Sequence, residues 1–208
     1  MGKSTAARML VNMGVPVNDA DQSVHKLMGK GGSAVDEIAK AFPGTLKNQQ
    51  IDRAKLSSFV FKDPKALKQL EGILHPKVQR LTQKFLRDQQ RMGRKMVALD
   101  IPLLFETRGE KRVDTIFVVS APASIQRQRV LARKGMTPEK FAVIRAKQTP
   151  DHMKRKRADY VLPTGLGRSV TYRAIKRALA KLQHRADQNP AFPNRSYRRR
   201  HPNVFRVF

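Results

Sequence analysis

The residues Gly2-Lys3-Ser4-Thr5 stand at the start of the chain and lead directly into a helical run, Ala6 to Met13. Gly-Lys-Ser/Thr before a helix is the second half of the phosphate-binding loop G-x-x-x-x-G-K-[ST]. In such a loop, backbone N–H groups and the positive end of the helix surround phosphate oxygens. The lysine reaches the β- and γ-phosphates of a nucleotide, and the hydroxyl binds Mg²⁺. An ordinary capped helix start is the alternative, which these residues fit equally well.

The first half of this loop is absent from the sequence, which has one residue before Gly2. Loops of this kind follow a buried parallel strand, and nothing before Met1 supplies that strand. We expect the natural protein to begin upstream, by about ten to fifteen residues for a strand and half a loop. The chain would then lack the first strand of its sheet.

Composition restricts the classes of protein that the chain can belong to. Its 208 residues suffice for one domain with a sizeable core, and they include no cysteine. Disulfides, thiolate nucleophiles and cysteine-ligated metals are therefore excluded. No apolar run approaches the length of a membrane span, and the N-terminus does not have the pattern of a signal peptide. We expect a cytoplasmic protein that does not associate with membranes.

The formal net charge of +27 is extreme and favours polyanionic partners. A site that binds two phosphorylated substrates needs only a handful of cations, so a catalytic site alone does not account for the excess positive charge. A solvated basic surface is the alternative explanation. The positions after about residue 185 carry Arg198-Arg199-Arg200 beside Tyr197, a mixture typical of single-strand nucleic-acid binders. We expect residues 185–208 to form a disordered basic tail that could bind nucleic acid non-specifically.

Short apolar segments alternate with helical patterns, which predicts an α/β fold with a parallel sheet covered by helices. The predicted strands are Val15–Val17, the near-continuous apolar run Met96–Pro102 with its acid Asp100, Thr115–Val119 and Ala158–Leu162. A segment between the second and third strands of the expected complete sheet, about 20–95, reads as entirely helical, with His75-Pro76 interrupting a long helix. Helical patterns flanked by Thr-Pro pairs occupy about 135–156, and a closing helix is predicted over Ser169–His184.

Asp19 and Asp21 follow the predicted strand Val15–Val17, and His25 lies one helical turn beyond Asp21. Open α/β sheets place their ligand chemistry at the carboxyl ends of strands, which favours a functional role for the two acids. Capping of the next helix is a strong alternative for both residues. The other histidines, His152, His184 and His201, have no metal-ligand spacing.

Several motifs in this order resemble the dephospho-coenzyme A kinase family over Gly2 to about Leu182. The motifs are Gly2-Lys3-Ser4-Thr5, Asp19-Ala20-Asp21 with His25, Ile51-Asp52-Arg53, Leu74-His75-Pro76, Asp100-Ile101-Pro102-Leu103-Leu104-Phe105-Glu106, Gln126-Arg127 to Arg133 with Met136-Thr137, Gln148, and Ala158-Asp159-Tyr160-Val161. The incomplete phosphate loop and the basic tail depart from the family pattern.

The resemblance implies ATP-dependent phosphorylation of the ribose 3′-hydroxyl of dephospho-coenzyme A, the final step of coenzyme A biosynthesis. It also implies a nucleoside-monophosphate-kinase-like P-loop fold over residues 1–184. In that fold the region 20–95 is a helical coenzyme A-binding insertion, 135–156 is a mobile lid, and the missing strand is the central one. We expect a monomer.

The resemblance and the chemistry of phosphoryl transfer together assign roles to individual residues. Asp21 orients the ribose hydroxyl and accepts its proton, while Lys3 and Arg133 neutralise charge on the transferring phosphoryl group. ATP is bound by Gly2, Lys3, Ser4, Thr5, Arg127 and Arg133. Mg²⁺ is bound by Ser4 with Asp100, or with Asp19 through water. Dephospho-coenzyme A is bound by Asp21, His25, His75, Pro76, Leu103, Leu104, Phe105 and Glu106.

Two other functions remain open at this stage. One is phosphorylation of a different small hydroxylated metabolite by a P-loop kinase, because the phosphate loop does not specify the acceptor. The other is nucleic-acid binding through the basic charge, although no RNA-binding motif or paired aromatic platform is present.

Overall fold

The computed structural model describes residues 2–133, 135–146, 148–188 and 205–207. Its helices are α1 (Lys3–Asn12), α2 (Ala20–Met28), α3 (Val35–Ala41), α4 (Arg53–Lys62), α5 (Pro64–Arg91), α6 (Ala123–Leu131), α7 (Pro138–Ala146), α8 (Asp151–Lys156) and α9 (Arg168–Gln188). Its strands are β1 (Val17–Asp19), β2 (Leu46–Lys47), β3 (Gln50–Ile51), β4 (Met96–Asp100), β5 (Phe117–Ser120), β6 (Tyr160–Pro163) and β7 (Phe205–Val207). The described residues form two compact units, the second of which is Asn18–Asp88.

The first unit contains short parallel strands with helices packed on them, which confirms the predicted α/β class. Strands β1, β4 and β7 form one sheet in that order, and β5 pairs with β6 in another. The β5–β6 pair is parallel, with Phe117 opposite Tyr160 and Ser120 opposite Pro163. Among the described strands, none joins the two sheets. The near-continuous apolar run of β4 fits a strand covered on both faces, and its last four residues are buried.

Helices α1 and α9 cover this unit. Helix α1 packs against α9 and β4, and α9 also packs against β6. Leu10 of α1 and Ile175 of α9 are fully buried. The buried positions of α9 recur every three or four residues, which gives the helix one apolar stripe toward the core. They are Thr171, Ile175, Ala178, Leu179 and Leu182.

The second unit has its own hydrophobic core. Helices α2, α3, α4 and α5 contribute Leu27, Ile38, Leu56 and Leu70 to one buried cluster. Asp63 begins α5 by accepting a hydrogen bond from the Lys65 N–H at 2.8 Å, with Pro64 in the first helical position. This start agrees with the Asp-Pro signal in the sequence.

The second unit corrects two predictions. A break at His75-Pro76 is wrong, because α5 runs without interruption through Pro76. Proline removes one backbone hydrogen bond, and the apolar positions on both sides of it, Leu74 and Val78, pack on the same core and hold the helix together. The prediction that the region of about 20–95 is entirely helical is also wrong.

An antiparallel hairpin of β2 and β3 interrupts the helices, with Leu46 opposite Ile51 and Lys47 opposite Gln50. Its two turn residues, Asn48 and Gln49, both have positive φ, 50° and 62°. That is the backbone of a two-residue hairpin turn, which glycine or asparagine normally signals.

The predicted disordered tail, 185–208, is wrong at its two ends. Helix α9 continues past His184 to Gln188, and β7 pairs in parallel with β4, with Met96 opposite Phe205. The arginine run that the nucleic-acid hypothesis emphasised lies outside the described residues. Within the described ranges, no helix combines the length and apolarity needed to cross a bilayer.

Candidate active site

An ion pair joins the start of α1 to the end of β4. Lys3 is the first residue of α1, and its Nζ contacts Oδ1 of Asp100, the last residue of β4. The Asp100 side chain is 2% exposed, whereas that of Lys3 is 31% exposed. A buried carboxylate is costly unless it is paired and hydrogen-bonded, and the ammonium supplies such a partner. The pair thereby holds the Lys3 ammonium at the N-terminus of a helix.

The residue before this helix brings a second strand end to the same place. Gly2 has φ +90°, and a Cβ added there would lie 3.1 Å from the Thr164 Cβ. Thr164 follows β6 and is fixed by its Oγ1, which donates to the Ser120 carbonyl at 3.0 Å. Gly2 is therefore required for its backbone conformation and for its close approach to Thr164.

A cavity of about 340 Å³ opens beside Gly2. It is lined by Gly2, Thr5, Arg129, Arg133, Thr164, Gly167, Arg168 and Thr171. Three arginines and residues from the first turns of α1 and α9 border this space. Helix N-termini present unpaired N–H groups, and guanidinium groups match phosphate oxygens in geometry. The cavity therefore suits an anionic ligand such as a phosphate chain.

The structure brings some predicted nucleotide residues to this cavity and leaves others out. Gly2, Thr5 and Arg133 line it, whereas Arg127 is an exposed residue of α6 outside the lining. Ser4 is exposed in the first turn of α1.

The sequence reasoning missed five lining residues: Arg129, Thr164, Gly167, Arg168 and Thr171. The sequence did carry a signal for two of them, Thr164 and Gly167, because Thr164-Gly165-Leu166-Gly167 is a glycine-containing turn between a strand and a helix. Turns of that kind bind phosphate at the edge of α/β sheets.

The loop after β4 turns largely inward. Leu104 and Phe105 are 5% and 8% exposed, and the Arg157 guanidinium lies 4.6 Å from the centre of the Phe105 ring. Leu103 is 43% exposed. Of the three apolar residues in this loop that were predicted to line the substrate pocket, Leu103 is thus the most exposed.

Glu106 lies further along this loop and is bound by residues of the predicted lid. Its Oε1 accepts from the Thr149 N–H at 2.8 Å and pairs with the Lys154 Nζ at 3.1 Å. Burial raises the pKa of Glu106, but hydrogen bonds from Thr149, from its own backbone and from Lys154 outweigh burial and lower the pKa below its ordinary value. Glu106 is therefore a carboxylate at neutral pH.

The remaining predicted residues belong to the second unit. Asp19 caps α2, since its Oδ1 accepts from the Gln22 N–H at 3.1 Å, which is the capping alternative considered for it. Asp21 is exposed in the first turn of α2. The His25 ring contacts the Arg53 guanidinium, with 2.6 Å between Nε2 and Nη1. His75 and Pro76 are exposed on α5.

Comparisons with known proteins agree on one family. The dephospho-CoA kinase family model matches residues 1–166. A dephospho-CoA kinase of Rhodopseudomonas palustris is 48% identical over 190 residues, covering 90% of this chain and 94% of the relative. One from Mesorhizobium japonicum is 52% identical over 167 residues, covering 80% and 84%.

Two solved structures have the same fold. The crystal structure of TT1252 from Thermus thermophilus superposes with a TM-score of 0.73 at 36% identity, covering 87% of this chain and 92% of that one. The dephospho-CoA kinase from Campylobacter jejuni superposes with a TM-score of 0.65 at 22% identity, covering 88% and 92%.

Replacing Gly2 by alanine should lower the free energy of unfolding by about 1–3 kcal/mol, because it adds backbone strain and crowds Thr164. Gly14→Ala is the matched control, since Gly14 has φ +81° but nothing within 4 Å of its added Cβ. Urea unfolding of both variants measures the difference. Equal losses in the two variants would contradict the close packing of Gly2 on Thr164.

Proposed function

The chain belongs to the dephospho-CoA kinase family, which catalyses the final step of coenzyme A biosynthesis, and from this membership we propose which role each residue has in the reaction. The observation that carries the proposal is the Lys3 ammonium, held by Asp100 at the start of α1 beside a cavity with three arginines. Phosphoryl transfer requires positioning and charge neutralisation more than covalent chemistry by the protein. A helix N-terminus with one lysine and several guanidinium groups supplies both.

ATP binds with its phosphate chain at the N-terminus of α1. The backbone of Gly2 to Thr5 contacts the phosphates, and Lys3 neutralises charge on the transferring group. Arg133 binds the phosphoryl oxygens from the cavity side, together with Arg129. Arg127 stays in the proposal as a further ATP residue on the strength of the sequence resemblance alone.

The oxygen donors near Lys3 suit Mg²⁺. The Ser4 hydroxyl and the Asp100 carboxylate are hard oxygen ligands, and Mg²⁺ is usually held by one or two such groups with waters and substrate phosphates. When bound, the ion neutralises phosphate charge. Ser4 and Asp100 would hold it from the protein side.

Asp21 accepts the proton of the ribose 3′-hydroxyl and orients that oxygen. A ribose hydroxyl is a weak nucleophile at neutral pH, so a neighbouring carboxylate is needed. The proposal rests on the position of Asp21 two residues after Asp19 in the family motif. It is supported by the exposure of Asp21, whose carboxylate is not engaged in capping as that of Asp19 is.

Dephospho-coenzyme A is the acceptor, and residues from several motifs bind it. Those from the second unit are His25, His75 and Pro76, with Asp21 at the reacting hydroxyl. Those from the loop after β4 are Leu103 to Glu106, of which Leu103 offers an exposed apolar side chain. The ion pair of Glu106 with Lys154 makes its contribution to the substrate indirect.

An ATP-coupled assay tests the function and separates it from other P-loop kinases. We expect turnover with dephospho-coenzyme A, and little or none with nucleoside monophosphates or shikimate. The product should carry its new phosphate on the ribose 3′-oxygen, which phosphorus NMR identifies. A preference for a nucleoside monophosphate would contradict the proposal.

Asp21→Asn should lower kcat by about two to four orders of magnitude, because the amide cannot accept the hydroxyl proton. ATP binding, measured by calorimetry, should be unchanged. Asp36→Asn is a matched control, since Asp36 is also exposed in the first turn of a helix of the same unit. Near-normal turnover of Asp21→Asn would remove Asp21 from the mechanism.

We propose non-specific nucleic-acid binding as a second activity, with the basic tail and the adjoining face of α9 as its surface. The exposed cations of that face have no ion pair within the described part of the chain; they are Arg173, Lys176, Arg177, Lys181 and Arg185. They extend over about 20 Å of helix at 1.5 Å per residue. A row of unpaired cations of that length fits a polyanion backbone.

Changing Arg173, Arg177 and Lys181 together to glutamine should weaken single-stranded RNA binding at least tenfold and reduce its dependence on salt. Fluorescence anisotropy at several salt concentrations measures both quantities. Kinase activity should be retained, since these side chains lie outside the cavity lining. RNA affinity that is unaltered in this variant would exclude the α9 face as the binding surface.

A further inference from the structure

We propose that Glu106 is a positioning residue for phosphoryl transfer, which anchors the return end of the lid to the loop that leaves β4. The lid is here the segment 135–156, and its return end is the stretch 149–156, which Arg157 follows directly. The inference rests on the proposed kinase function and adds a residue that acts through other groups.

A single carboxylate oxygen holds two points of the return end. Glu106 Oε1 accepts from the Thr149 N–H, just before α8, and pairs with the Lys154 Nζ in the middle of α8. The side chains of Lys154 and Glu106 are 10% and 16% exposed. A lysine is rarely this buried unless it is paired, and removal of one partner leaves the other as an uncompensated charge. The contact therefore fixes α8 in place.

Three further contacts attach α8 and the residue that follows it, Arg157. Arg157 forms an ion pair with Glu110 and lies over the Phe105 ring. The Ser120 hydroxyl, at the end of β5, donates to Asp151 Oδ2 at 2.7 Å. All of these partners belong to the first unit, in the β4–β5 region. The return end and Arg157 are thus bound at several points to the connection between β4 and β5 and to the end of β5.

The other half of the lid is held much less. Helix α7 has no buried residue, and among the described residues its side chains form only local hydrogen bonds, such as Lys140 Nζ to the Gly135 carbonyl at 3.1 Å. Helices with few buried contacts open most easily. The lid accordingly has a loose half at α7 and an anchored half at α8.

The anchor lies close in sequence to the site. Glu106 is six residues beyond Asp100, which holds Lys3, while Arg133, two residues before the lid, lines the cavity. A lid that moves about a fixed return end closes on the phosphates in one geometry and excludes water. Loosening that end should let water compete with the acceptor hydroxyl for the phosphoryl group.

Glu106→Gln in the full chain tests the anchor. The amide keeps the size and can still accept from Thr149, but it loses the charge that Lys154 needs. We expect kcat with dephospho-coenzyme A to fall about tenfold to a hundredfold, with a rise in ATP hydrolysed per phosphate transferred. KM for dephospho-coenzyme A should change less than threefold. Glu37→Gln, which removes an exposed pair with Lys77, should change neither quantity.

Lys154→Met removes the other partner of the ion pair. It too should lower kcat while KM for dephospho-coenzyme A changes little. The double variant should be no worse than the more impaired single variant, since both remove one interaction. Wild-type kcat and coupling in Glu106→Gln would overturn the proposal, as would additive losses in the double variant.

Hydrogen exchange provides a readout that is independent of activity and applies if Glu106→Gln does not fold. Backbone exchange in the segment 148–157 should be faster in Lys154→Met than in wild type, while exchange in α7 stays the same. Unchanged exchange in 148–157 would overturn the anchor. A wild-type chain that does not phosphorylate dephospho-coenzyme A contradicts the proposed function instead, and the exchange result still decides the anchor.

Discussion

The contact between Lys3 and Asp100 is the constraint on which the first unit depends. It joins residues 97 positions apart, one at the start of a helix and one at the end of a buried strand. An almost fully buried carboxylate needs a cation or strong donors, and an ammonium next to phosphate groups needs a fixed position. One ion pair meets both requirements. It also sets the end of β4, from which the loop to Glu106 departs.

The positive charge of the site comes partly from the two helices that begin beside it. Helices α1 and α9 start at the same cavity, and Arg168 is the first residue of α9. Two helix N-termini and three guanidinium groups produce a strongly positive local field, which a triphosphate with its metal would balance. Family membership and local electrostatics therefore lead independently to an anionic substrate.

The sequence predicted the family, the α/β class and the position of Lys3, because each depends on short motifs and on apolar runs such as that of β4. It did not predict the partner of Lys3, because pairing across the whole chain depends on tertiary packing. The hairpin of β2 and β3 was missed because its strands have two residues each, too few for an alternating pattern to be recognised. The binding of Glu106 to Thr149 and Lys154 was also beyond sequence patterns, which gave that residue a direct substrate role.

Helix α5 has a further consequence, which arises from Pro76 in its interior. Proline has no N–H, so the carbonyl of Gly72, four residues earlier, lacks its usual helical donor. Gly72 has no side chain, and an added Cβ there would meet nothing within 4 Å, so solvent reaches that turn of the helix. Water can hydrate the Gly72 carbonyl, and a helix bends most readily where one of its backbone hydrogen bonds is absent. We therefore expect the long helix to bend more readily in the turn between Gly72 and Pro76 than elsewhere along its length.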